Sequence, residues 1–192
     1  MVIKVYLKKG SAISQINMES LRIHPRIEKR FMKGIIEIDR LRFNETPSPA
    51  FFDYANNFPN NYTVLTLDDN VEGYGLVVPV TLFGSQAMQR GEMDENELIA
   101  KHATNLDNCD AFYLPSIAVR PKTKPIISSR LVGYTLGGIL RAQKPAFAIA
   151  VSKSGESIAK EIGMESNNYV GPLQGLDGFV PKLFKKPAYG VN

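Results

Sequence analysis

The sequence predicts an α/β fold built on a mixed β-sheet. Three observations carry this. Residues 26–43 place Ile27, Phe31, Ile35 and Ile38 on one apolar stripe at helical spacing. Apolar, β-branched runs recur at 62–67, 74–83, 111–119 and 145–151. The last two of these runs are each followed by a helix-patterned segment, so the middle of the sheet should be covered on both faces.

The elements follow in order. Met1 to Leu7 alternates as an edge strand would. A helix is expected over Arg26 to Phe43, with Pro25 just before it. Ser48 and Pro49 supply a cap and a first helical position for a second, shorter helix containing Phe51 and Phe52, with Phe58 adding buried bulk. Strands are expected at Tyr62 to Leu67 and Tyr74 to Phe83, joined by a hairpin turn in "DDNVEG". Pro79 points to a bulge or an edge. The polar stretch Gly84 to Asp110 reads as an insertion holding one short helix, Glu95 to Ala103.

Ala111 to Val119 reads as a buried strand with Pro115 as an irregularity. A helix from about Ile126 to Leu140 carries Val132, Leu136, Ile139 and Leu140 on one face. Gly133 inside it suggests close packing on the sheet; Gly137 and Gly138 either do the same or mark its end. Pro145 to Val151 is the next strand. Ser154 to Ile162 is a helix with Ser154 as its cap and Gly163 past its end. A strand over "NNYVGP" and one near Phe179 complete the order, and Lys182, Lys185 and Lys186 read as a solubilising tail.

The 192 residues suit a single domain, 1–192, interrupted by the insertion at about 84–110. No apolar run is long enough to span a membrane, and the N-terminus lacks a signal-peptide core. The one cysteine, Cys109, fits a reducing compartment, so a cytoplasmic location is expected. The net charge of +4 favours acidic partners such as phosphorylated cofactors and acidic carrier proteins. Nucleic-acid signatures are lacking, which disfavours that partner. Phosphate-loop, dinucleotide and nucleophile-elbow patterns are also lacking. His102, Asp107, Cys109 and Asp110 crowd one loop, but their spacing matches no familiar metal site, so no metal is expected.

Most of the functional signal lies in "FYLPSIAVRPKTKPIISSRLVGYTLGGIL", Phe112 to Leu140. A strand ending in "SIAVRP", a basic turn and a helix of small and apolar residues are followed by "AFAIAV", "SGESIAKEIGMES" and "NNYVGP". This ordered set, with "IEIDRLRFNETPSPAFF" upstream, resembles the GNAT superfamily of acyltransferases over roughly residues 26–172. "KEIGMES" stands where that family carries a K-x-G-F type signature, with Met164 in the aromatic position.

The resemblance implies a mostly antiparallel central sheet whose central strands splay apart, and a transfer of an acetyl or longer acyl group to an amine. The donor would be acetyl-CoA, another acyl-CoA or an acyl carrier protein. The acceptor would be a small-molecule or peptide amine, with a homodimer compatible. The alternative is a GNAT-like module that binds a ligand or partner without catalysis. Ile117, Ala118 and Val119 would line the pantetheine; Ile127, Ser128, Ser129 and Arg130 would face the pyrophosphate, with Lys122, Lys124 and Arg130 adding charge. The family's loop normally reads Arg or Gln, two residues, Gly, one residue, Gly or Ala. Here the corresponding stretch runs from Thr123 to Ser128 and has no glycine. Ala159 occupies the position of the family's acidic tyrosine, leaving Ser157 or Tyr169 as substitutes. Tyr113 and Ser116 on the central strand, together with Tyr169, are the catalytic candidates, and Glu72 lies near the hairpin.

Overall fold

A computed structural model describes residues 20–44 and 46–187. The strand expected at Met1 to Leu7 lies outside the described residues. The strands are β1 (Leu21–His24), β2 (Tyr62–Leu67), β3 (Asn70–Val80), β4 (Ala111–Val119), β5 (Ala146–Ala150), β6 (Glu165–Asn168) and β7 (Lys182–Lys186). The helices are α1 (Met32–Phe43), α2 (Pro49–Asn57), α3 (Leu82–Gln89), α4 (Glu95–His102), α5 (Pro125–Ala142) and α6 (Lys153–Glu161). The strands form one sheet in the order β1-β2-β3-β4-β5-β7-β6. Among the described residues, only the β4–β5 pair is parallel.

The stripe of Ile27, Phe31, Ile35 and Ile38 is buried as expected. Regular α-helix nevertheless begins at Met32, later than Arg26. Glu28 is extended, so the chain becomes helical only after it, through a 3-10 turn at Lys29–Phe31, while the Ile27 N–H is held by the Pro59 carbonyl at 2.9 Å. Ser48 caps α2 by accepting the Phe51 N–H, and Pro49 takes the first helical position.

The β2–β3 hairpin turns on Asp68 and Asp69, both in the left-handed region. β3 therefore starts at Asn70, and the rest of the expected turn is strand. It ends at Val80 rather than Phe83, because Thr81 caps an unanticipated helix, α3, by accepting the Gly84 N–H. Pro79 sits beyond the end of β2, whose first residue, Tyr62, pairs with Leu76. Its missing N–H therefore costs no bond on that side, while its carbonyl accepts the Thr104 N–H at 2.9 Å.

α5 lies on β3 because β3 carries glycine there. A Cβ on Gly73 would come within 2.9 Å of Leu131, and one on Gly75 within 2.3 Å of Thr135. The close-packing role expected of Gly133 thus belongs to the strand; a Cβ on Gly133 would meet nothing within 4 Å. Gly137 and Gly138 do not end the helix, which runs on to Ala142. The cap of α6 is Ser152, which accepts the Gly155 N–H, rather than Ser154. Gly163 follows with a positive φ of 75°, as its place past the helix predicts.

The "NNYVGP" strand is β6, shifted to Glu165–Asn168, and the strand expected near Phe179 is β7. β7 inserts between β5 and β6, so this stretch is a sheet strand rather than a solvated tail, and two of its lysines are tied down. Lys182 pairs with Glu156 at 2.9 Å and Lys186 donates to the Ile162 carbonyl at 2.7 Å. Among the described residues, no helix is long and apolar enough to cross a membrane.

Candidate active site

The site originates in the parting of β4 and β5. Their pairing covers Phe112, Tyr113 and Leu114 against Ala146, Phe147 and Ala148. β4 then continues to Val119 without β5, and a cavity of about 1220 Å³ opens between them. β4 residues Leu114 to Val119 form one wall and β5 residues Ala148 to Ala150 the other. The end of α1 at Arg42 and Phe43, the first half of α5, α6 and the residues just after it, and the turn Leu176–Phe179 also contribute to the lining.

Strand geometry fixes which backbone groups face this gap. The Arg120 N–H bonds to the Glu72 carbonyl at 2.8 Å, so these two form a hydrogen-bonded pair across β3 and β4. Pairing alternates along an antiparallel ladder. Ala118 and Ser116 therefore bond to β3, whereas Ile117 and Val119 turn their N–H and C=O groups into the gap. The Val119 carbonyl is engaged by Arg42, whose Nε donates to it at 2.6 Å.

A bulge sets the side chains. Ser116 pairs with Leu76 and Tyr113 with Val78, so Leu114 and Pro115 together oppose Val77. The extra residue accounts for Pro115 and turns Ser116 to the same sheet face as Tyr113. That face carries Tyr74, whose phenol lies 3.3 Å from Ser116 Oγ and donates to Asp39 Oδ1. Asp39, on α1, is only 6% exposed. Burial, reinforced by Asp39, holds the Tyr74 phenol well above its ordinary pKa. Sequence reasoning passed over both residues. An aspartate within the apolar stripe of α1 was the available signal, since a buried carboxylate requires a partner.

The other catalytic candidates lie elsewhere. Tyr113 is buried in the core, stacked on Phe147 at 4.9 Å and hydrogen-bonded to Glu95 of α4. Its phenol is raised well above the usual value by burial first and Glu95 second. Tyr169 packs against the same core, with its pKa also raised by burial. Neither belongs to the cavity lining. Ser157 is exposed and points along α6 to Glu161. Glu72 accepts from the Thr123 hydroxyl at 3.1 Å and steadies the turn before α5.

Of the expected cofactor-binding residues, Ile117, Ala118, Val119, Ser128 and Ser129 line the cavity; Lys124, Ile127 and Arg130 do not. The Ile127 side chain is 2% exposed and packs on Leu65 and Leu131. Its N–H and that of Ser128 both go to the Lys124 carbonyl, at 2.9 and 3.3 Å. Pro125 has no N–H. The first turn of α5 is thus largely closed on itself: Ser128 and Ser129 line the cavity where a glycine loop would stand, and the Ser129 hydroxyl donates back to the Pro125 carbonyl at 3.0 Å.

The polar loop before β4 is a set of structural ties. Asp110 accepts the Leu82 N–H at 2.8 Å, His102 contacts the Thr81 hydroxyl at 3.3 Å, and Lys144 donates to the Cys109 carbonyl at 2.6 Å.

No protein-family model and no curated protein matches the sequence. Solved structures do match the fold. The loading GNATL domain of CurA from Lyngbya majuscula has a TM-score of 0.68 at 10% identity, over 87% of this chain and 97% of that one. A mosquito arylalkylamine N-acetyltransferase like 5b has a TM-score of 0.58 at 14% identity, over 87% and 99%. Arabidopsis thaliana Naa50, in complex with the bisubstrate analogue CoA-Ac-MVNAL, has a TM-score of 0.57 at 10% identity, over 87% and 98%. The chain therefore has the GNAT superfamily fold, a mixed and mostly antiparallel open sheet flanked by helices.

Proposed function

We propose that this protein is an N-acyltransferase that moves an acetyl or longer acyl group from an acyl thioester to an amine. The observation that carries the reading is the parting of β4 from β5, which directs the N–H and C=O of Ile117 and the N–H of Val119 into a cavity of about 1220 Å³. An extended chain with amide groups, such as pantetheine, can pair with that edge as an added strand. The cavity is large for a small-molecule site and suits a long donor such as acetyl-CoA or another acyl-CoA. The structural likeness to a CoA-bisubstrate complex of Naa50 supports the same donor class.

In this reading the positive end of α5 and the hydroxyl of Ser128 face the donor's phosphates. The cavity holds thioester and amine in register, and positioning supplies a large part of the rate. An acyl carrier protein is the other donor compatible with the basic charge. The self-closed start of α5 and the alanine at Ala159 favour a second reading, a module that binds the thioester without turning it over.

Calorimetry with acetyl-CoA, longer acyl-CoAs and free CoA tests the assignment. Binding of at least one is expected. Failure of all three at millimolar concentration overturns the CoA-dependent form and moves the question to carrier-held donors. Ser128→Glu should abolish binding by repelling the phosphates; unchanged affinity places the phosphate seat elsewhere.

A further inference from the structure

Three elements converge on the cavity wall with oxygen atoms: α1 with Asp39, β3 with Tyr74 and β4 with Ser116. Tyr74 is 1% exposed and Asp39 6%, while Ser116 lines the cavity. A phenol has a single proton to give. Tyr74 gives it to Asp39 Oδ1. The contact between Tyr74 Oη and Ser116 Oγ must then be made by the serine proton. The order of donation is therefore Ser116 to Tyr74 to Asp39, which leaves the Ser116 lone pairs free to face the cavity. At 3.3 Å the serine link is longer than an optimal O–H···O bond, as catalytic hydrogen bonds commonly are without substrate.

We propose that Asp39, Tyr74 and Ser116 form a proton relay that draws the acceptor's ammonium proton out of the cavity and into a buried carboxylate. The relay rests on the acyltransferase reading. The ammonium gives a proton to Ser116 Oγ, the serine proton passes to Tyr74 Oη, and the Tyr74 proton passes to Asp39 Oδ1. The net change is ammonium to amine and carboxylate to carboxylic acid. The amine then attacks the thioester carbonyl. A C–N bond forms, the C–S bond breaks, and the second amine proton leaves with the sulfur as thiol. Asp39 returns its proton by the reverse route after the product has left.

Ser116 touches the substrate; Tyr74 and Asp39 act through it. The strongly raised Tyr74 phenol keeps its proton at rest and serves as a passage rather than a store. Tyr62 of β2 also faces Asp39, but its hydroxyl is directed to the Phe51 carbonyl. The bulge at Leu114–Pro115 is what makes the relay possible, since it turns Ser116 toward Tyr74.

The test is aminolysis of acetyl-CoA by phenethylamine, followed by thiol release, alongside proton NMR of buried hydroxyls. Ser116→Ala should lower kcat by about 10²-fold with the KM for acetyl-CoA unchanged. Ser116→Thr should restore most of the rate, and Asp39→Asn should reproduce the loss. A downfield hydroxyl resonance should vanish in Tyr74→Phe and shift in Ser116→Ala. Wild-type kcat in Ser116→Ala overturns the relay, as does a resonance that ignores that substitution. If the wild type neither binds acetyl-CoA nor releases thiol, yet the resonance shifts in Ser116→Ala, the hydrogen-bond chain stands and the acyl-transfer reading falls.

Discussion

Arg42, near the end of α1, donates from Nε to the Val119 carbonyl at 2.6 Å and from Nη2 to the Arg120 carbonyl at 3.1 Å. One guanidinium thus ties the first helix to the open end of the strand that walls the cavity. Arg42→Ala should lower stability by about 1 kcal/mol, measured by urea denaturation. Arg42→Lys should recover little, because an ammonium lacks the planar fork that reaches two carbonyls at once.

The placement of glycine makes a second expectation sharp. A methyl on Gly75 would sit 2.3 Å from Thr135 Oγ1 and 2.7 Å from its Cγ2. Threonine is branched at Cβ and cannot swing clear. Gly75→Ala should therefore push α5 off β3 and destabilise the fold by about 1–3 kcal/mol. Gly138→Ala meets nothing within 4 Å and removes a helix-interior glycine, so it should stabilise by up to about 1 kcal/mol. Thermal melts of the two variants should move in opposite directions.

Much of the sheet was legible because apolar period and turn chemistry are local signals. The ranges of β2 and β4 match expectation, and the end of α1 and the cap of α2 agree as well. The misses are the start of α1, which an extended Glu28 delays, and α3, whose local cap at Thr81 lay in a stretch read as strand and then insertion. At the site, Ile117 to Val119, expected there from the resemblance, do line the cavity. No such expectation covered Asp39 and Tyr74. Their partnership with Ser116 spans 77 and 42 residues of chain and depends on a one-residue bulge, and no local pattern encodes either.

The β2–β3 turn offers an inexpensive stabilisation. Asp68 and Asp69 both hold positive φ, at 48° and 61°, as the two central residues of a tight hairpin turn. Asp69→Gly removes the side-chain cost of that conformation and should raise stability by about 0.5–1 kcal/mol, read from the denaturation midpoint.

His24 predicts a pH dependence. Its imidazole, bonded to Thr66 Oγ1 at 3.0 Å, has a pKa lowered from 6.5 by partial burial first and by Arg30 second. The unfolded chain therefore takes up this proton at a higher pH than the folded one. The stability contributed by neutral His24 is complete above pH 6.5 and is lost on acidification through the lowered folded value. Melting temperatures should fall over that interval, and less so in His24→Asn. An imidazole titrating at or above 6.5 in the folded protein would contradict this.

Tyr113 separates a structural phenol from a catalytic one. It is a catalytic candidate in the sequence because it lies on the central strand, three residues before Ser116. The bulge puts both on one sheet face, but only Ser116 reaches the cavity. Tyr113 is 2% exposed, its ring stacks on Phe147, and its hydroxyl binds Glu95 of α4. Tyr113→Phe keeps the stack and deletes the partner of a carboxylate, so it should cost about 1–3 kcal/mol of stability. Acetyl-CoA affinity, by calorimetry, and kcat with phenethylamine should stay at wild-type values under conditions where the variant is folded. A fall in kcat at unchanged stability would instead return Tyr113 to the reacting centre.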